Sequence, residues 1–338
     1  MTPAIFGLSG TVLTDAERRF FRSADPAGYI LFGRNVESRD QLRALTDELR
    51  NLHGRDRLLI SIDQEGGRVA RMKPPVWDAY PCGWAFAHLW NVAPASAMEA
   101  ARANAHLLGL DLAEVGISVD YAPLLDVRQE GAHDVIGDRA LGSDPLAVAA
   151  LGRSVLEGLA RAGVTGCVKH MPGHGRAMAD SHKELPVVDA DTRALESDLA
   201  PFKALKDAPI GMSAHVLYPA WDAQNPATLS PRIIADVIRG AIGFSGLLLT
   251  DDIDMQALEG SIPERGERAI AAGCDLVLNC WARMEDMEGL ASRLPPMGAA
   301  AHARLDAALA YPDAHRQDAD RAFLLAQRDG LLAQVAAA

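Results

Sequence analysis

The chain has 338 residues, 49% hydrophobic and 23% charged, a balance that excludes a disordered chain, a collagen-like repeat or a coiled coil. Its 33 Lys and Arg against 45 Asp and Glu give a net charge of −12, which argues against a nucleic-acid binder with a basic footprint. No run reaches the roughly 18 apolar residues of a membrane helix. The opening MTPAIFGLSG also lacks the basic start and long apolar stretch of a secretory signal, so an untargeted cytoplasmic protein with no membrane partner is expected.

In chain order, short apolar runs fall at residues 4–8, 29–32, 58–62, 117–121, 164–168, 210–214, 246–249 and 275–278, giving eight predicted strands. Helical stretches with recognisable starts lie between most of them. Thr14 with Glu17, and Ser38 with Gln41, each have the spacing of a capping box. After Ser38, Leu42, Leu45, Leu49 and Leu52 form one apolar stripe. Asp144-Pro145 and Ser230-Pro231 place a cap residue before a proline in the first helical turn. Strands that alternate with helices pair in parallel, and eight such units predict a single α/β domain, a closed (β/α)8 barrel over about residues 4–290. The Ala- and Leu-rich remainder, about 291–338, reads as C-terminal helices. A doubly wound sheet would need a dinucleotide turn, and the early glycine cluster DQEGGR lacks that spacing. Cys82, Cys167, Cys274 and Cys280 have no zinc or disulfide spacing; the last three sit in or beside apolar segments as small hydrophobes.

In a barrel of this kind the residues just past the strand ends face the active site, and here they are polar. Asp63, Arg68 and Arg71 follow the third strand; Asp126, Asp138 and Arg139 the fourth; Lys169 and His170 the fifth; His215 the sixth; and Asp251-Asp252 the seventh. Charges are costly to bury unpaired, so their clustering on five strands points to a polar ligand site. The segment KHMPGHG (169–175) reads as a bending loop, and Asp180 in Asp180-Ser181-His182 can reach the imidazole of His182 and set its tautomer, as acid/base work requires. Successive side chains of a strand alternate, so one of Asp251 and Asp252 should face the pocket while the other accepts hydrogen bonds from the rim. Lys169, Arg71 and Arg139 are expected to keep Asp251 ionised. Asp252 or Asp254 also has the chemistry of a helix cap. A metal centre drawn from His170, His174, Asp180, His182, His215 and Asp251 is the alternative. The first strand has no histidine pair, and Pro172-Gly173 spoils a helical zinc pair at His170 and His174.

Four ordered motifs, IDQEGGRVARM (62–72), IGDRALGSDP (136–145), KHMPGHG with DSH, and LLLTDDIDM (247–255), resemble those of family 3 glycoside hydrolases. Within the family they look like the bacterial cytoplasmic β-N-acetylglucosaminidases (β-hexosaminidases) that recycle cell-wall fragments. The resemblance spans residues 6 to about 279. It implies a barrel that removes terminal β-linked N-acetylglucosamine from peptidoglycan-derived fragments, with or without peptide, with retention through a covalent glycosyl-enzyme and without a cofactor. Carried over, Asp251 is the nucleophile, His182 the proton donor and acceptor, and Asp180 its orienting partner. Asp63, Arg71, Arg139, Lys169 and His170 bind the sugar hydroxyls, and His174 lies behind them. Two departures stand out: Met171 where the family more often has Phe, and Arg176-Ala177 where Asp-Thr is frequent. The alternatives left open are a substrate-assisted route polarised by Asp251 and Asp252, phosphate as acceptor, a metal-dependent amidohydrolase, and a non-enzymatic sugar sensor. No heptad seam demands a partner chain, and a monomer suffices.

Overall fold

The computed structural model describes residues 1–131 and 133–337. Among them, strands β1 (Thr2–Gly7), β2 (Pro26–Leu31), β3 (Leu59–Ile62), β4 (Val119–Asp120), β5 (Thr165–Met171), β6 (Ile210–Ser213), β7 (Leu247–Asp252) and β8 (Leu276–Asn279) pair in parallel, each with the next. β8 returns to β1 through Phe6 opposite Asn279, which closes the barrel. All eight predicted strands are present. Two run three residues past the predicted carboxyl end: β5 through Lys169, His170 and Met171, and β7 through Thr250, Asp251 and Asp252. Apolar runs mark where a strand packs among apolar side chains, not where its hydrogen bonding stops. The backbone here continues as extended chain under polar side chains.

Alternation along each strand builds two cores. Ile5, Ile30, Leu59, Tyr121, Ile210, Leu247 and Leu249 point into the barrel and pack together. Their neighbours Phe6, Tyr29, Leu31, Ile60 and Leu248 point outward into the layer formed with the helices. In the helix Arg39–His53, Leu42, Leu45 and Leu49 are buried, as the stripe requires.

Helix starts follow the cap chemistry, with one variation. The Thr14 box is complete: Glu17 N–H donates to Thr14 Oγ1 and Thr14 N–H to Glu17 Oε2. At Ser38 only one arm forms; Gln41 N–H donates to Ser38 Oγ, while Gln41 Oε1 accepts from the N–H of Glu37 instead. Asp144 caps the helix Pro145–Ala162, and Ser230 Oγ accepts from Ile233 N–H. The helix after β7 begins at Ile262 under a Ser261–Glu264 box, so neither Asp252 nor Asp254 is a cap.

The C-terminal helices serve the barrel itself. Ala299–Ala310 closes its lower mouth, with Leu305 and Ala308 joining the inner core and Thr165 Oγ1 donating to the Ala308 carbonyl at 2.8 Å. Asp275 is held there by Arg304 at 2.7 Å and Arg239 at 2.9 Å. Arg321, at the start of Arg321–Leu332, pairs with Asp111, which also accepts from Tyr80 Oη in the long connection after β3. No helix among the described residues is long and apolar enough to cross a membrane. Leu305→Ala opens a cavity beneath the barrel floor and should cost about 2–5 kcal/mol. Urea or thermal unfolding measures it, and an unchanged midpoint would mean that this helix does not seal the barrel.

Candidate active site

A cavity of about 370 Å³ opens at the carboxyl end of the barrel. Asp63, Arg71, Arg139, Lys169, His170, Asp180, His182 and Asp251 all line it. Its floor is apolar, made by Met212 and Leu278 on β6 and β8 and by Tyr121 and Cys280 just past the ends of β4 and β8. Phe32, Val69, Val135 and Ile136 also line it, from the connections after β2, β3 and β4.

Asp251, near the end of β7, has a nearly buried side chain. Its Oδ1 accepts the Asp252 N–H at 2.8 Å, and its Oδ2 lies 3.9 Å from His170 Nε2. Burial opposes the charge, but His170, His215 and Lys169 together hold this carboxyl below the ordinary carboxylate range. The expected set of neighbours therefore differs from that found: Arg71 and Arg139 are engaged elsewhere, and the imidazoles take their place. Asp252 takes the other direction. Its Oδ1 accepts from the N–H groups of Asp254 (3.1 Å) and Cys280 (3.3 Å), and burial with the adjacent Asp254 pushes its carboxyl well upward. Asp254 Oδ2 in turn accepts from Asn279 Nδ2, Cys280 N–H and Trp281 N–H, tying the end of β7 to that of β8.

Facing β7 is a lattice of ions. Asp63 Oδ1 accepts from Lys169 Nζ at 3.0 Å and its Oδ2 from Arg71 at 3.3 Å, with Arg71 also stacked over Phe32. Glu65 binds the same lysine at 2.6 Å and receives Arg139 through Nε and Nη2, both at 2.8 Å. Sequence reasoning assigned no role to Glu65. The signal was indirect: two cations placed at an apolar mouth need anionic partners, and Glu65 is two residues past Asp63 in the same turn. Behind His170 lies Asp126, fully buried, which accepts from His170 Nδ1–H at 2.7 Å and from the N–H groups of His170 and His174. Burial opposes its charge, but His170 and His174 keep this carboxyl low. His174 Nδ1 has no partner among the described residues, and burial pushes its imidazole down to about 4. His215 lies behind the cavity wall, donating from Nε2 to the Asp252 carbonyl and bonded through Nδ1 to Thr228.

Asp180 and His182 come from the loop after β5. One oxygen, Asp180 Oδ1, receives both the backbone N–H of His182 at 3.0 Å and its Nδ1–H at 2.8 Å. Burial works against the Asp180 carboxylate, but these bonds hold it below its usual range. The His182 side chain is 61% exposed, so its Nε2 is free to meet a ligand from the loop. Ser181 fastens the loop to the connection after β7, its hydroxyl on Met255 Sδ and its carbonyl on Ala257 N–H. Arg176 turns away from the cavity to Asp198 (2.6 Å), Ser197 and the Ala194 carbonyl, so this departure rivets the root of the loop to the helix Thr192–Ala204. Among the described residues no group of three or more His, Cys, Asp and Glu side chains is arranged to hold a metal ion.

The match to the glycosyl hydrolase family 3 N-terminal domain covers residues 12–310. The β-hexosaminidase of Bordetella avium is 38% identical over 336 residues, covering 96% of this chain and 94% of that protein. That of Chromobacterium violaceum is 40% identical over 299 residues, covering 87% and 83%. Among solved structures, NagZ from Neisseria gonorrhoeae in complex with N-trifluoroacetyl-D-glucosamine superposes with a TM-score of 0.87 at 32% identity, over 98% of both chains. The chain thus belongs to glycosyl hydrolase family 3 and is a glycoside hydrolase of the β-N-acetylhexosaminidase type.

Proposed function

We propose that this chain is a cytoplasmic, single-domain, retaining exo-β-N-acetylglucosaminidase acting on peptidoglycan-derived fragments, N-acetylglucosamine linked to anhydro-N-acetylmuramic acid with or without peptide. The observation that carries this reading is the pairing of an ionised Asp251 with a loop-borne imidazole, His182, on one cavity. Asp251 Oδ1 is occupied by a backbone N–H, which leaves Oδ2 as the attacking oxygen. In the first step Oδ2 bonds to the anomeric carbon, the C–O bond to the aglycone breaks, and His182 Nε2 gives its proton to the departing oxygen. In the second, His182 takes a proton from water as the water oxygen displaces Asp251 from the anomeric carbon. Asp180 fixes the imidazole with Nδ1 protonated, so Nε2 is the nitrogen that shuttles. Asp63, Arg71, Arg139, Lys169 and His170 hold the sugar hydroxyls. A bound N-acetylglucosamine analogue in the gonococcal relative supports the sugar class.

Most retaining glycosidases use two carboxyl groups roughly 5–5.5 Å apart. Here a histidine takes the second role. The substrate-assisted alternative would need a second anion or acceptor aimed at the acetamido group. Asp252 is poorly suited to this, since its carboxyl is pushed toward the neutral form and committed to the rim.

His182→Ala is expected to slow hydrolysis of the natural disaccharide by about 10²–10⁴-fold. Its effect on an aryl glycoside with a good leaving group should be much smaller in the first step, and equal losses on both would remove the proton-donor role. Intact-mass analysis after reaction with a slow 5-fluoro sugar should find a covalent adduct on Asp251, absent from Asp251→Ala; a persistent lack of adduct would favour the oxazoline route. Release of N-acetylglucosamine from the anhydromuramyl disaccharide, measured against chitobiose, checks the aglycone. A strong preference for chitobiose would overturn the peptidoglycan assignment.

A further inference from the structure

We propose that Glu65 is a positioning residue, one that holds the Lys169 ammonium and the Arg139 guanidinium of the sugar clamp in place and in charge without itself touching substrate. The inference rests on reading this cavity as the sugar site. Glu65 does not line the cavity; it stands behind the wall that Lys169 and Arg139 present, with a side chain only 8% exposed. Each of its oxygens is used. Oε1 meets Lys169 Nζ at 2.6 Å and Arg139 Nη2 at 2.8 Å, and Oε2 meets Arg139 Nε at 2.8 Å. Such a bidentate fork fixes the guanidinium plane as well as its charge.

The backbone under Glu65 is equally constrained. Its N–H donates to the Val69 carbonyl at 2.9 Å, and Gly66 follows at φ 95° with no room for a side chain, since a Cβ there would meet the Pro81 carbonyl oxygen at 2.3 Å. Glu65 is thus a fixed anion on a rigid turn, and the two cations are placed against it from β5 and from the loop after β4. Asp63 cannot substitute, because it faces the cavity and already shares itself between Lys169 and Arg71. With Glu65 neutralised, Arg139 would lose its salt-bridge partner and Lys169 would keep only Asp63, which it shares with Arg71.

The charge of Lys169 depends on what faces it: Asp63 and Glu65 after β3, Asp120 on β4, Arg139 beyond β4, Cys167 on its own strand and Asp251 on β7. Burial favours loss of the proton, but the Glu65 and Asp63 carboxylates overcome it and hold the ammonium above its ordinary range. Removing the Glu65 charge leaves the Arg139 repulsion less opposed. The sign follows: the lysine of the variant gives up its proton at lower pH, and activity falls on the alkaline side before that of the wild type.

The experiment compares pH profiles of kcat and kcat/KM on an aryl N-acetyl-β-glucosaminide for wild type, Glu65→Gln, Lys169→Met and the double variant. Glu65→Gln should lose on the order of 10²-fold in kcat/KM. Its alkaline limb should move to lower pH, and the loss should be much smaller in the Lys169→Met background. A profile parallel to the wild type, or an equal loss with and without Lys169, overturns the proposal. If Glu65→Gln does not fold, a folded double variant supports the charge-holding role, whereas failure of both assigns Glu65 to the turn and overturns it. A wild type inactive on every N-acetyl-β-glucosaminide would refute the proposed function instead. The Glu65–Lys169 coupling would then be read from the thermal unfolding of the same four proteins against pH.

Discussion

Asp251 is a carboxylate enclosed by protein at the mouth of an apolar barrel, and the surrounding structure keeps it charged. Burial alone would push it toward the neutral form, which cannot attack a carbon. The opposing influence comes from His170, His215 and Lys169, of which His170 and Lys169 each need a partner of their own to stay in position. His170 has Asp126 behind it, and Lys169 has Asp63 and Glu65. The result is an alternation of sign that runs from β7 through β5 to the loops after β3 and β4. A buried ion pair contributes little net stability, but breaking one by removing a single partner is costly. The lattice therefore fixes geometry at the expense of tolerance to substitution.

Two Asp–His pairs meet the cavity, and they differ in where rigidity is placed. Asp126 is fully buried and receives three hydrogen bonds from the segment that carries His170. That imidazole is fixed to the scaffold and suits a binding role. Asp180–His182 sits on the loop after β5, with the imidazole 61% exposed and the anchoring bonds confined to its own neighbourhood and to Ser181. In the proposed mechanism this group first gives a proton to one oxygen and later takes one from another, and it gains from such freedom. The Arg176–Asp198 pair anchors the loop at its root and Ser181 ties it to the connection after β7, while the His182 ring itself stays exposed.

The barrel was legible because its constraints are local: eight apolar runs, cap residues at fixed offsets, and an alternation that puts Leu247 and Leu249 inside and Leu248 outside. Asp63, Lys169, His170 and Asp251 reach one cavity for the same reason, since a strand end fixes which way a polar residue can face, and Arg71, Arg139, Asp180 and His182 join them from the loops that follow. Apart from Asp180 and His182, which are close along the chain, the sequence could not show which charge pairs with which. Arg139 reads as a neighbour of Asp251, yet it binds Glu65, 74 positions away along the chain. That choice depends on the rigid turn at Gly66 and on loop lengths, which no spacing rule encodes. The same limit explains Asp254: a carboxylate followed by a helix suggests a cap, but the intervening turn carries the chain past it to Ser261, and Asp254 ties down β8 instead.

The proposed use of a histidine in place of a second catalytic carboxylate agrees with this charge arrangement. The cavity already places Asp63, Asp180 and Asp251 on its walls, and Asp252 beside Asp251 has been driven toward its neutral form by burial and by Asp254. Another ionised carboxylate brought against Asp251 would raise both pKa values, and the proposed nucleophile would lose charge when it needs it most. An imidazole held by Asp180 avoids that conflict. In its neutral form it adds no negative charge beside Asp251, and in its protonated form it favours the Asp251 anion. In the proposed double displacement the same group therefore serves both steps without weakening the nucleophile in either.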